Sequence, residues 1–307
     1  MCAIRGRPAA RSDGDAQSAG QRRGLDLMGP VQARLGPQRW HFQHGPIDLI
    51  IGAHGDDEAV RESLELAWAR FATVLTELTG ELALLRLPVA KPCRMQGPIA
   101  RRMWQACVPF APDFITPMAA VAGSVAQEIL DSFVRDGVRR AWVNNGGDIA
   151  LHLQTGQRAA LAVCADPAAP PSQSDRVVIG ADSPVRGVAT SGWRGRSFSL
   201  GIADAVTVLA CEAAQADAAA TMIANQVDCD DEAIVRRPAC ELKDDTDLGD
   251  RPVTVQVGPL SPAKAQSALE RGARYAQSLM ERDLITQAML SLQGRSRIVV
   301  PSKQRLS

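Results

Sequence analysis

The sequence predicts an α+β fold in which a largely antiparallel sheet is packed by long amphipathic helices, as one domain over residues 36–307. Three observations carry this expectation. Short strands come in hairpin-like pairs, at QRWHFQHGPIDLIIGAHG and again at RRAWVNNGGDIALHL. Long helical stripes stand between and after them, mixed with the hairpins rather than strictly alternating with single strands. Apolar residues make up 46% of the chain, enough for a sizeable core.

Residues 1–35 are rich in Gly, Arg, Gln and Ala without periodicity, and are expected to be a disordered tail or an overextended start. In the first hairpin Trp40 and Phe42 alternate, then Ile47, Leu49 and Ile51, around a Gly45-Pro46 turn. His41 and His44 are three apart and so face opposite sides of a strand, which makes them, with His54, ordinary polar positions. Val60, Leu64, Ala67, Phe71, Val74, Leu78, Leu82 and Leu85 form one helical stripe that stops before Pro88. A second helix is expected from about Thr116 to Asp136, closed by Gly137.

The next segment is strand, double-glycine turn, strand. Apolar runs at Leu161 to Ala165 and at AVTVLA (Ala205 to Ala210) give further strands. An Ala-rich helix then carries Asp217 and Thr221, and Asp228 to Asp250 form a solvated acidic loop that does not fit the EF-hand spacing. Ser261 as N-cap with Pro262 after it opens a last helix through Leu279 and Leu284. No internal repeat is visible.

With 34 basic and 34 acidic side chains, no global field draws the chain to nucleic acid or to an anionic membrane. Seven cysteines, with no CxxC and no zinc spacing, are expected to be free thiols. There is no apolar run of signal-peptide or membrane-spanning length, and a cytoplasmic protein is expected. The two long stripes promise more apolar face than one sheet covers, so self-association as a homo-oligomer is an expectation too.

Four segments bear on chemistry. Asp217 and Thr221, at i and i+4, aim two oxygen ligands along one helix face, a donor set suited to Mg²⁺ but equally to a solvated pair. ITPMAAVAGSVAQEIL clusters small residues at a helix start, which suits a phosphate or tight packing. VNNGGDIAL puts Gly146 and Gly147 in a turn with Asp148 just past it, a hairpin with room for a ligand. GVATSGWRGRSFSLG holds Thr190, Ser191, Gly192, Arg194 and Arg196, groups a pyrophosphate needs and a surface loop also has. Ser191 lacks a GxSxG setting and a nearby histidine, so the pattern does not point to a serine hydrolase.

Taken in order, AAVAGSVAQE, VNNGGDIAL, VATSG and VTVLACEAAQADAAAT resemble the FAD:protein FMN transferases of the ApbE type, whose pieces read GAIAKG, VNxGGD, ATSG and ADALAT. The GPIDLIIG strand and the helix ending in ELALLRLP resemble still more closely a smaller family of unknown function described as ApbE-like, over nearly the whole chain from residue 36. The resemblance implies a T-fold-related architecture. It implies Mg²⁺ held by a main-chain oxygen of Ala120 and by Asp217 and Thr221, and FAD lying along Gly146, Gly147 and Asp148 and along Thr190, Ser191 and Gly192.

The departures are as specific as the matches. The transferases' HxxDPxxG segment is replaced by WRGRSFSLGIADA, leaving Asp204, Arg194 and Arg196 as the candidate catalytic groups, and Gly123 stands where GAIAKG has Lys. Three functions remain open on these residues. They are a Mg²⁺-dependent FAD-binding transferase or pyrophosphatase, a non-catalytic flavin carrier, and an accessory protein of pterin or one-carbon cofactor metabolism.

Overall fold

A computed structural model describes residues 29–162 and 176–301 of the chain. Nine strands form one sheet: β1 (Val31–Gly36), β2 (Arg39–His44), β3 (Ile47–Gly55), β4 (Val138–Asn145), β5 (Asp148–Leu153), β8 (Gly187–Ser191), β9 (Ala205–Ala210), β12 (Gln287–Leu292) and β13 (Arg295–Val299), in that spatial order. Every neighbouring pair is antiparallel. Two small hairpins stand apart from it, β6 (Arg158–Ala162) with β7 (Arg176–Gly180), and β10 (Ile234–Pro238) with β11 (Pro252–Val257). The α+β, largely antiparallel class expected from the sequence is the one observed.

Helices cover one face of the sheet. They are α1 (Asp57–Gly80), the single turn α2 (Leu82–Leu85), α3 (Pro98–Cys107), α4 (Val121–Leu130), α5 (Ala213–Gln226), the single turn α6 (Ala239–Leu242) and α7 (Pro262–Glu281). The main core lies between this layer and the sheet, with Phe42, Leu49, Ile51, Phe71, Ile129, Val208, Ile223 and Leu290 fully buried. On the opposite face Leu151, Leu153, Val188 and Leu209 form a second, smaller core with Ala159 and Ile179 of the β6–β7 hairpin. No helix among the described residues is long and apolar enough to cross a membrane.

The sheet repeats a plan that the residues hide. A hairpin (β2–β3), two packed helices (α1 and α4) and a second hairpin (β4–β5) are followed by the same series in β8–β9, α5 and α7, and β12–β13. The two units join at β5–β8, where only Ile149↔Val188 and Ala150↔Gly187 are paired. A seam that short leaves the strand ends on either side free to splay, and the polar groups discussed below gather there.

Several expected boundaries move. The first described strand starts at Val31, ahead of residue 36: β1 pairs along β2 as an edge strand exposed on both faces, with Val31, Ala33 and Leu35 alternating with Gln32 and Arg34. The first stripe breaks at Glu81, whose carboxylate turns to accept the amides of Gln96 and Gly97, each at 2.7 Å, and so starts α3, which the pattern had not suggested. The helix expected from Thr116 to Asp136 is α4 between two 3₁₀ turns, Pro117–Ala120 and Asp131–Phe133. The acidic stretch is not a loop throughout: β10, α6 and β11 run through it, its charges neutralised by pairs such as Asp228–Arg236 and Asp231–Lys264. Leu284 lies past the end of α7, and the β12–β13 hairpin after it is additional. The expected strand near Leu161 is β6 up to Ala162, and the rest of that run lies outside the described residues, as do Cys2 and Cys164. Val60, Ala67, Phe71, Val74 and Leu78 of α1 and Ala268, Leu269, Ala276 and Leu279 of α7 are buried within the chain, while Leu66 of α1 and Val31 and Leu35 on β1 are exposed.

Candidate functional site at the seam

Two glycines shape the first-unit side of the seam. Gly146 (φ +66°) and Gly147 (φ +120°) take left-handed backbone to close the β4–β5 turn, and the Gly147 amide donates to Asn144 Oδ1 at 2.8 Å. Asn145 donates from Nδ2 to the Ala122 carbonyl at 3.2 Å, which ties the turn to the start of α4. Asp148, the first residue of β5, reaches across to β8 and accepts the Thr190 amide at 3.2 Å.

The start of α4 is pressed against the start of α5. A Cβ at Gly123 would collide with the Ala213 carbonyl, so only glycine lets the helices meet this closely. The payoff of that approach is electrostatic. Asp217, one turn into α5, accepts the Gly123 amide at 2.9 Å and the Ala122 amide besides, using two donors that an α-helix leaves unsatisfied at its N-terminus.

Asp148 is 9% exposed and Asp217 is half-buried. Burial pushes Asp148 up to about 7, against the opposing pull of the Thr190 amide and the Arg196 charge. Burial raises Asp217 well above the usual carboxylate range, and the neighbouring Asp148 raises it further. Two carboxylates brought together out of water cannot both ionise without a positive partner. Burial, aided by Asp217, also pushes the Cys107 thiol up, and the Ser124 hydroxyl on α4 is buried without a hydrogen-bond partner.

The expected metal ligands lie around this pair. Ala120 is buried where the 3₁₀ turn meets α4, a packing partner of α5, and Thr221 sits one turn beyond Asp217, its hydroxyl without a hydrogen bond to another described residue. Among the described residues no three His, Cys, Asp or Glu side chains cluster as a metal cage. The donor set of one or two carboxylates, a hydroxyl and main-chain oxygen does fit Mg²⁺, which keeps most of its shell for water and substrate phosphate.

The second-unit side is the segment Gly192 to Gly201, and here the candidates part company. Asp204 is 7% exposed; its Oδ1 accepts from Arg194 Nε at 2.8 Å and Trp193 Nε1 at 3.2 Å, and its Oδ2 accepts the Gln293 amide at 2.5 Å. With both oxygens engaged, Asp204 fastens the loop to β12–β13 and offers no free base, while Arg194 is turned into that ion pair and stacks on Trp193. A Cβ at Gly192 would come within 2.5 Å of the Asp204 carbonyl, the close approach that this glycine permits. Thr190 points to the opposite face of the sheet, where its hydroxyl meets that of Thr207 at 2.9 Å; only its amide serves the seam. Ser191 alternates back to the helix side, opposite Val206.

So the Gly146–Gly147 turn, Asp148, the Thr190 amide and Asp217 gather at the seam, with Ala120 two residues before Ala122 and Thr221 one turn beyond Asp217, while Asp204, Arg194 and the Thr190 hydroxyl do not. Residue patterns gave no signal for Asn145 as a tie to α4 or for the buried hydroxyl of Ser124. A separate groove of about 370 Å³, lined by Trp40, His54, Asp57 and Leu64, opens between the first hairpin and α1, on the far side of the first unit.

A family model described as "AbpE bacteria" matches residues 32–298. The chain belongs to this family. It also belongs with the UPF0280 proteins: it is 32% identical to one from Methanosarcina acetivorans over 208 residues, 67% of this chain and 78% of that one. A UPF0280 protein from Methanothermobacter thermautotrophicus is 38% identical over 166 residues, 53% of this chain and 62% of the relative, less than two thirds of its length. Among solved structures, a mutant of the flavin transferase ApbE from Vibrio cholerae aligns with a TM-score of 0.44 at 13% identity, covering 89% of this chain and 98% of that one. The apo flavinyl transferase ApbE from Pseudomonas stutzeri aligns at 0.43 and 12% identity, over 89% of this chain and 96% of that one. The ApbE-like membership of this chain, expected from the order of its motifs, thus holds across both units.

Proposed function

We propose that the seam binds a flavin nucleotide, FAD, through Mg²⁺, and that the chain acts on it or transfers part of it. The observation that carries this reading is the Asp217 carboxylate on the Gly123 amide at the start of α4 with buried Asp148 beside it, two carboxylates that burial raises and that a cation would neutralise. Mg²⁺ bound there supplies charge neutralisation for a pyrophosphate. Asp217, Thr221 and the Ala120 carbonyl would hold it, the Gly146–Gly147 turn gives a phosphate room beside the main chain, and the Thr190 amide keeps Asp148 aimed inward. The free, partly buried thiols suit a reducing compartment, and the cytoplasm belongs to the same reading.

A second reading, a non-catalytic flavin carrier, is favoured by Asp204. It is the acidic residue of the segment that replaces HxxDPxxG, and both its oxygens are spent on Arg194, Trp193 and Gln293. Without a free carboxylate there, an acceptor hydroxyl has no base to activate it. Calorimetric titration with FAD, with and without Mg²⁺, on the native chain and on Asp217→Ala, with products assayed for FMN and AMP, decides between them. Mg²⁺-dependent binding lost in Asp217→Ala is the expected result; product formation marks an enzyme, and binding without products marks a carrier. Equal binding by both proteins, or a ligand of pterin type preferred to FAD, would sink the FAD reading.

A further inference from the structure

Arg194 and Arg196 stand two residues apart in one loop and have opposite situations. The loop is fastened at both ends. On one side Arg194 and Trp193 bind Asp204, and a tight turn is closed by the Gly195 amide donating to the Gly192 carbonyl at 3.1 Å. On the other, the Leu200 amide donates to Asn225 Oδ1 at 3.0 Å, and the Thr254 amide donates to the Ser199 carbonyl at 2.9 Å. Between these anchors Arg196 arches across to the first unit, and its guanidinium lies directly on Gly146, where any Cβ would collide with it.

That guanidinium has no hydrogen-bond or ion-pair partner among the described residues, although its charge is felt by Asp148 beneath. A long side chain held over one glycine loses rotamer freedom, and here no protein acceptor offsets the loss. The neighbouring face of Gly147 is open, with nothing within 4 Å of where a Cβ would stand. A planar fork of donors beside an open turn with positive φ is the arrangement that receives a phosphate oxygen pair.

We propose that Arg196 is the anion-receiving residue of the seam, taking a phosphate group of the ligand over the Gly146–Gly147 turn, so that the site selects phosphate esters against their neutral parent compounds. This rests on the reading of the seam as a ligand site, but not on the ligand being a flavin. It also gives the rewritten segment a purpose: the residues that replace HxxDPxxG hold a cation where a phosphate would arrive instead of a base for an acceptor.

The test is calorimetry on the full chain in Mg²⁺ with two pairs of probes, FAD against riboflavin and ATP against adenosine, for the native protein, Arg196→Ala and Arg196→Lys. Arg196→Ala is expected to weaken the phosphorylated member of a pair by about tenfold to a hundredfold, the scale of a charged hydrogen bond, and to leave the neutral member unchanged. Arg196→Lys is expected to recover part of the loss, since the charge returns without the fork. Arg196 is exposed and unpartnered, so thermal melts of all three proteins are expected to coincide. An equal loss for both members, no loss for either, or a native chain with no preference for phosphorylated probes would overturn the proposal. ATP bound through Arg196 with no flavin bound would uphold it while the FAD reading fails; FAD bound through Asp217 but unaffected by Arg196→Ala would do the reverse.

Discussion

The two units of the sheet share a plan and present different kinds of group at their seam. The first unit contributes main chain: the Ala122 and Gly123 amides, the Gly146–Gly147 turn, and Asp148 as its one charged group. The second contributes side chains, Asp217 and Thr221 from α5 and Arg196 from the loop after β8. Backbone donors are fixed once the fold is fixed, whereas side chains on the opposite unit can be exchanged without moving the helices.

The largest expected effect breaks the comparison at its charged centre. Asp148 holds its proton to about pH 7 in the folded chain, whereas an unfolded aspartate releases it near pH 4. Its folded value is raised, so its contribution is most favourable below about pH 4 and is lost as the pH climbs to about 7, a loss of up to about 4 kcal/mol for a fully enclosed group. Melting temperature in the absence of divalent cations should therefore fall between about pH 4 and about pH 7, more steeply than in Asp217→Asn, which lacks the raised carboxyl of Asp217 itself. Added Mg²⁺ should restore the native chain at the upper end and do little for the variant. A native melting temperature that stays flat across this range would mean that burial does not hold Asp148 protonated in the folded chain.

Gly123→Lys comes next, and it returns the lysine of the GAIAKG pattern to its own position. The backbone leaves no room, because the Ala213 carbonyl occupies the place of the new Cβ. The variant should lose about 3 kcal/mol in urea unfolding, the upper range for overpacking a closed contact. It should also lose affinity for the cation, because the amide that holds Asp217 moves with α4. Native stability in Gly123→Lys would show that the lysine was dropped for function rather than for helix contact.

How far the residues announced all this depends on what each element exposes. The β2–β3 and β4–β5 hairpins were legible because apolar alternation and glycine turns coincide. Edge strand β1 alternates Val31, Ala33 and Leu35 with Gln32 and Arg34 but sits directly after the unpatterned start of the chain, and β12, which alternates Ala288, Leu290 and Leu292 with Gln287, Met289 and Ser291, directly follows a helical stripe, so neither stands out as a separate strand. The repeated plan is invisible because its units share topology and packing positions, not residue types. At the site, the i,i+4 spacing of Asp217 and Thr221 pointed to one helix face, but only the chain's path brings Asp148 against them. Nor does any local pattern separate Arg194 from Arg196, since a loop has no period by which to tell an inward side chain from an outward one.

The smallest effect bears on that last pair. Arg194 is 40% exposed on its side chain, and its partner Asp204 keeps the Trp193 and Gln293 donors without it. Arg194→Ala should therefore cost about 1 kcal/mol, the scale of a half-exposed ion pair rather than an enclosed one. If the loop's role is to hold Arg196 in place, the variant should also loosen phosphate selectivity by less than Arg196→Ala does, because the anchors at Ser199 and Leu200 remain. The ratio of the two losses, read from FAD and riboflavin affinities in both variants, measures how much of the second unit's contribution is placement and how much is contact. A loss in Arg194→Ala equal to that in Arg196→Ala would make placement the whole of it, and would turn the Asp204 anchor from scaffolding into a part of recognition.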